Sequence, residues 1–347
     1  MKNCENSIWR EDLARINEEP LPWKDLKGTD IVLTGATGLI GSTLLRGLLY
    51  ANEKRKLGLT VYAVVRDPEK AKEMFGEPDG AVFLEGSMEA LPPIPHGIDY
   101  VIHGACPTAS AFMVSRPADV IRTSIEGTMS LLDAAAGAGA RGFVFLSSME
   151  AYGTVREEIT LTEDILGTID LSNVRSCYPE SKRMCEMLCT SYAAQYGLRA
   201  MSVRLAQTFG PGIAYDDPRV FAMMARCALE GKDIVLATPG TSKRPYLYSA
   251  QAVTAILTVL LKGSAGETYN AANPQTYCSV FEMGQRVAAG LGEGKISVRV
   301  DEHGDSARYP AASYLKLSAD KIMKLGWKPA GDLDWMYQRL ADSMKTK

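Results

Sequence analysis

Residues 34–41 read Thr34-Gly35-Ala36-Thr37-Gly38-Leu39-Ile40-Gly41. The apolar run Ile31-Val32-Leu33 precedes them, and Leu44, Leu45, Leu48 and Leu49 follow at helical spacing. The stretch therefore reads as strand, glycine turn, helix. Gly35 suits the sharp turn out of the strand, Gly38 leaves room for a pyrophosphate to approach the backbone, and Gly41 lets the helix pack close to the sheet. Around Thr37, Leu39 and Ile40 the helix N-terminus offers free N–H groups and the positive end of its dipole to phosphates. The competing explanation is a glycine-rich turn in some other α/β protein, and residues 148–182 weigh against it.

Length and charge narrow the remaining possibilities. The chain has 347 residues, 46% of them hydrophobic, and a formal net charge of −3. It can bury a large core in two lobes. It carries no basic footprint for nucleic acid. No apolar run reaches membrane-spanning length, and residues 1–28 lack the basic-then-apolar pattern of a secretory signal, so a cytoplasmic location is expected. There are seven cysteines and three histidines. Cys185 and Cys189 lie four apart on an expected helix with no histidine near in sequence, so they read as buried thiols rather than metal ligands, and no metal site is expected.

The hydrophobic pattern divides the chain into elements. Residues 1–28 give a short helix around Trp9–Ile16 and a linker, packed outside the main fold. From Asp30 short apolar strands alternate with helices: Val61–Val65, Ala81–Leu84, Tyr100–Ile102, Phe143–Leu146 and Ala200–Leu205 as strands, Pro68–Phe75, Val120–Ala136 and Pro179–Tyr196 as helices. Such alternation implies a parallel sheet covered on both faces, with ligands at the carboxyl ends of its strands. Gly35, Ala105, Ser148 and Gln207 fall at or just after those ends. Beyond Gly212 the pattern loosens into helices near Val220–Glu230, Val253–Leu261, Val280–Leu291 and Trp335–Met344, with strands at Ile234–Leu236 and Glu267–Asn270.

The second key stretch is Tyr178-Pro-Glu-Ser-Lys182. Tyr178 and Lys182 share one helix face. A free tyrosine titrates near ~10, and acting as a base near neutrality requires about 4 kcal/mol of phenolate stabilisation for three units. A neighbouring ammonium works in that direction. Ser148, at a strand end, can hydrogen-bond the same substrate oxygen.

Together, Thr34-Gly-x-x-Gly-x-x-Gly41, Ser147-Ser148-Met-Glu-Ala-Tyr-Gly153 and Tyr178-x-x-x-Lys182 resemble the extended short-chain dehydrogenases/reductases, the nucleotide-sugar epimerases, dehydratases and decarboxylases. The resemblance covers roughly residues 29–330. It implies a Rossmann-type doubly wound parallel sheet over residues 29–209 plus about 246–273. A smaller C-terminal α/β substrate lobe would take 210–245 plus 274–347, and residues 1–28 would be a helical extension. It implies that Tyr178 is the catalytic base, that Lys182 holds the nicotinamide ribose and lowers the tyrosine pKa, and that Ser148 assists. The common opening step of that family takes a hydride from sugar C4 to give a 4-keto sugar. A homodimer built on the Val120–Ala136 and Pro179–Tyr196 helices is likewise implied.

Finer resemblances separate members of the family. Arg204-Leu-Ala-Gln-Thr-Phe-Gly-Pro211 looks like the Arg-x-x-Asn-Thr-Phe-Gly-Pro of UDP-glucuronate decarboxylases, with Gln207 in place of asparagine. Ser148-Met149-Glu150 is similar to their Thr-Ser-Glu, which makes Glu150 a further catalytic candidate. Met149 stands where the dTDP-glucose 4,6-dehydratases carry a proton-donating aspartic acid, which argues against dehydration. Gly240-Thr-Ser-Lys-Arg244-Pro-Tyr246 resembles a segment that binds nucleotide diphosphate, so Arg244 is the expected pyrophosphate ligand and Arg308 a second candidate.

The cofactor is NAD or NADP. An acid at the end of the second strand accepts from the ribose 2′-OH in NAD enzymes. Arg66 occupies that position, suits a 2′-phosphate, and tips the choice narrowly toward NADP. The function expected is modification of a nucleotide-diphosphate sugar by internal redox, of decarboxylase or 4-epimerase type. An NADPH-dependent carbonyl reductase of dihydroflavonol-reductase type is the alternative that Arg66 favours, and Glu150, the Gln-Thr-Phe-Gly-Pro stretch and Arg244 oppose. A non-catalytic dinucleotide sensor of the same fold would typically lack the tyrosine–lysine pair.

Overall fold

The structure is a computed structural model that describes residues 7–301 and 312–345. Arg308 lies outside the described residues. After α1 (Ser7–Glu18) come β1 (Asp30–Thr34), α2 (Leu39–Arg55), β2 (Thr60–Val65), α3 (Pro68–Phe75), β3 (Ala81–Glu85) and β4 (Tyr100–His103). The next elements are α4 (Ser110–Ser115), α5 (Pro117–Gly137), β5 (Gly142–Ser148), β6 (Thr160–Leu161), α6 (Cys177–Tyr196), β7 (Ala200–Leu205) and β8 (Gln207–Phe209). The remaining part holds α7 (Val220–Glu230), β9 (Ile234–Leu236), β10 (Lys243–Tyr248), α8 (Ser249–Lys262), β11 (Thr268–Ala271), β12 (Asn273–Ser279) and α9 (Val280–Ala289). It closes with β13 (Val298–Val300), β14 (Lys316–Leu317), α10 (Asp320–Met323) and α11 (Leu333–Lys345).

Seven strands form one sheet in the order β11-β7-β5-β4-β1-β2-β3. Every pairing in it is parallel. Its central strands are buried almost throughout, as a sheet covered on both faces requires. The order reverses between β1 and β4, where Thr34 lies opposite His103. That reversal opens the crevice in which open α/β sheets bind ligands. A second sheet, β12-β10-β8, pairs Gln207 with Tyr246 and carries the polar ends of both strands.

The structure adds one strand and corrects one expectation. The segment around Arg244 is strand β10. Pro245 and the two charges before it mask the strand in the sequence, and the register shifts at Pro245, between Arg244 and Tyr246. The N-terminal helix does not sit outside the main fold. Leu13 and Ile16 are buried in the principal core. Asp12 is fully buried, takes a bond from Arg339 Nη2 at 2.6 Å and accepts from the Tyr248 hydroxyl at 2.7 Å. Among the described residues, no helix is long and apolar enough to cross a membrane.

Candidate active site

The glycine turn is built by close backbone approach. Gly35 has φ +78°, and a Cβ there would lie 2.8 Å from the Gly104 carbonyl carbon and 2.9 Å from the Ala105 nitrogen. A Cβ on Gly41 would come within 2.1 Å of the Gly35 oxygen, so that glycine is needed for the tightness of the turn itself rather than for packing on the sheet. Gly38 is exposed, and its Cβ would meet only the Gly35 oxygen, at 3.4 Å. Gly38 is the N-cap of α2 and provides no side-chain cap. The half-buried Thr37, Leu39 and Ile40 thus surround an open helix N-terminus that fits a pyrophosphate.

Thr34 closes the switch point from behind. Its hydroxyl accepts from the Gly104 and Ala105 amides, each at 3.1 Å, and meets His103 Nδ1 at 2.7 Å. The hydroxyl proton therefore goes to Nδ1, and Nε2–H points at Thr128 Oγ1, 3.1 Å away. Burial first, and the Lys182 charge second, push the His103 imidazole down to about 3. It is a neutral brace between β4 and α5.

Tyr178 begins α6 and is buried, with Lys182 one turn further on. The Lys182 ammonium donates to the Leu146 carbonyl at 2.7 Å and stands 5.5 Å from the centre of the Tyr178 ring. Burial opposes that charge, yet Cys106, Tyr178, Cys185 and Glu186 together raise the lysine above its ordinary value. The tyrosine differs from expectation. Burial pushes its phenol up to about 12; Lys182 and a hydrogen bond with Ser148 pull it down, while Cys106 and Glu150 push it up. The lysine thus acts in the expected direction, but in the protein alone desolvation outweighs it.

Ser148 ends β5, and its Oγ accepts from the Glu150 amide at 3.2 Å. Glu150 lies in the 3-10 turn Met149–Tyr152 and is half-buried. Its two carboxylate oxygens are 2.8 and 3.1 Å from Arg175 Nη2. Arg175, three residues before Tyr178, was not singled out in the sequence, because nothing in local spacing links it to Glu150.

A second unread feature lies behind the site. Arg204 of β7 and Glu186 of α6 form a buried ion pair with Nη2 2.7 Å from Oε2, and Ser147 of β5 donates to the same carboxylate. Three elements are thereby locked, which fixes where α6 presents Tyr178. The six cysteines among the described residues are unpaired; Cys185 and Cys189 are buried thiols.

The other expected site residues stand on their own elements. Gln207 is half-buried on β8, and Arg244 on β10 is half-buried with its Nε buried and without a hydrogen-bond partner among the described residues. A buried, unsatisfied guanidinium donor fits an incoming anion. Arg66 follows β2, exposed. Asp67 beside it is committed to capping α3, accepting from the Lys70 amide at 2.9 Å.

Residues 31–272 match the NAD dependent epimerase/dehydratase family. The chain belongs to that family. UDP-glucuronic acid decarboxylase 6 of Arabidopsis thaliana is 30% identical over 250 residues, 72% of this chain and 71% of that protein. UDP-glucuronic acid decarboxylase 3 of the same plant is 29% identical over 299 residues, 86% of this chain and 84% of that one. The fold is shared with UDP-glucose 4-epimerase of Thermotoga maritima, solved with UDP-glucose, at a TM-score of 0.73 and 24% identity, covering 92% of this chain and 99% of that one. It is shared also with dTDP-glucose 4,6-dehydratase of Bacillus anthracis in complex with NAD, at a TM-score of 0.73 and 20% identity, over 92% and 97% of the two chains. The glycine turn and the switch point lie within the span that defines this family of NAD-dependent enzymes.

Proposed function

We propose that the protein modifies a nucleoside-diphosphate sugar through a 4-keto intermediate, as a decarboxylase or 4-epimerase, with UDP-glucuronate the first substrate to offer. The observation that carries this reading is the Tyr178–Lys182 pair beside Ser148 at the carboxyl end of β5. NAD or NADP, held at the glycine turn of Gly35, Gly38 and Gly41, would supply the hydride acceptor and donor. Tyr178 removes the proton from the sugar C4 hydroxyl, Ser148 hydrogen-bonds the same oxygen, and Lys182 holds the phenolate and the ribose. Glu150 sits two residues past Ser148 to act at C5. Met149 brings no proton for a leaving hydroxyl, which favours decarboxylation or epimerisation over dehydration. Arg244, on the lobe formed by 210–245 and 274–347, receives the diphosphate end, and Gln207, at the end of 29–209, contacts the substrate beside it.

For the cofactor we favour NADP by a small margin. The support is Arg66, exposed at the end of β2, with Asp67 occupied as a helix cap. The family name speaks for NAD. We also infer a homodimer through α5 and α6, whose outer faces expose Ile121, Met129, Met184 and Met187. The test of function incubates the purified protein with UDP-glucuronate, UDP-glucose, UDP-N-acetylglucosamine and dTDP-glucose and follows products by mass. Loss of CO₂ from UDP-glucuronate, or epimerisation of a UDP-hexose, supports the reading. A 4-keto-6-deoxy product formed at a rate unaffected by Glu150→Gln refutes it.

A further inference from the structure

We propose that Arg175 is a positioning residue of this site: its guanidinium holds the Glu150 carboxylate at the mouth of the cleft and screens Tyr178 from that negative charge. The proposal rests on the reading of Tyr178 as the base.

Arg175 lies in the 3-10 turn Val174–Ser176, immediately before α6. The turn is pinned locally. Its amide donates to Asn173 Oδ1 at 2.9 Å, and the Ser176 hydroxyl donates to the Asp170 carbonyl at 2.6 Å. From this anchored position a single nitrogen, Nη2, reaches both oxygens of Glu150. The guanidinium also stands 5.8 Å from the centre of the Tyr178 ring. One cation therefore faces both the carboxylate and the phenol.

The surroundings show why that matters. Tyr178 is faced by Lys182 from its own helix, Arg175 and Cys177 from the residues before it, Ser148 from the end of β5, Glu150 from the following turn and Cys106 from the stretch after β4. Met113 of α4 and Val120 of α5 close the remaining side with apolar groups. Among these, Glu150 is the nearby carboxylate, and a carboxylate opposes formation of a phenolate. Arg175 and Glu150 have side chains 29% and 38% exposed, so the pair is open to solvent and is not a core salt bridge. Charge-assisted bonds of this kind hold a carboxylate in one orientation. Glu150 can then sit beside the base without silencing it.

The test reads the phenol directly. A difluorotyrosine placed at position 178, whose phenol titrates well below that of tyrosine, is followed by fluorine NMR in the protein as purified. Four backgrounds are compared: wild type, Arg175→Gln, Glu150→Gln and the double variant. Arg175→Gln should raise the phenol titration by about one unit while Glu150 is present, the low end for an uncompensated neighbouring charge. In the Glu150→Gln background the same change should move it by less than about a third of that. Arg175→Lys, which keeps the charge, should stay near wild type and serves if Arg175→Gln does not fold. An equal shift in both backgrounds, or none in either, overturns the proposal. No substrate enters this titration, so inactivity toward every UDP-sugar would count against the proposed function and not against this role.

Discussion

The Lys182 ammonium stands 5.5 Å from the centre of the Tyr178 ring and is held there by the Leu146 carbonyl at 2.7 Å. Burial is the largest upward push on the phenol, and this lysine is the main group opposing it. Tyr178→Phe should lose at least ~100-fold in turnover, the lower range for a general base, with cofactor binding intact. Lys182→Met should move the acid limb of the rate profile to higher pH, since the base must lose its proton and the charge that favours phenolate is gone. Stopped-flow rates across pH check both. Turnover of Tyr178→Phe near the wild-type rate would remove the tyrosine from the mechanism.

Arg244 Nε is a buried donor without a partner among the described residues, which suits it to a diphosphate. Arg244→Ala should raise KM for the sugar nucleotide by about 10- to 150-fold, the loss of a charged hydrogen bond worth about 1.5–3 kcal/mol, and leave NAD affinity unchanged. Isothermal titration with UDP alone separates the two ligands. Equal weakening of both would mean that the arginine supports the fold instead.

Arg66 gives a prediction about the other ligand. If it meets a 2′-phosphate, Arg66→Ala should weaken NADP by about 10- to 150-fold and barely move NAD. Calorimetry that finds NAD preferred by the unaltered protein would place the arginine elsewhere.

His103 makes stability depend on pH. Its folded value, near 3, lies below the ordinary 6.5. Between those values the unfolded chain binds a proton that the folded chain refuses, so stability falls as pH drops through the window and recovers above it. The ceiling is about 5 kcal/mol, reached only at the acid end, at about 1.4 kcal/mol per unit. His103→Gln should flatten this slope relative to wild type in urea titrations between pH 6.5 and 4. Parallel slopes for the two proteins would contradict the buried neutral imidazole.

The parts of the fold legible in the sequence were those whose cause is local. The parallel sheet was readable because β1, β2, β4, β5 and β7 are short apolar runs set between helices, and Pro68–Phe75 was found to the residue because proline opens it and Gly76 ends it. The β12-β10-β8 sheet was not, since Pro245 and Pro274 interrupt strands that also carry charges and amides. Residues set by distant partners were equally hidden. Asp12 is buried because Arg339, at the far end of the chain, neutralises it. The contact of Arg175 with Glu150 needs the β5–α6 connection to fold back on itself. Tyr178 and Lys182 could be paired from helical spacing, but the net effect of burial on the phenol follows from the walls around it, which no spacing reveals.

The central claim is internal redox at Tyr178, and one labelling experiment addresses it most directly. UDP-glucuronate or a UDP-hexose carrying deuterium at C4 is incubated with the purified protein, no cofactor added, and the product is analysed by mass. The account predicts turnover with the deuterium retained in the product. Label lost to solvent, or turnover that proceeds only with stoichiometric consumption of added NADPH, would contradict it.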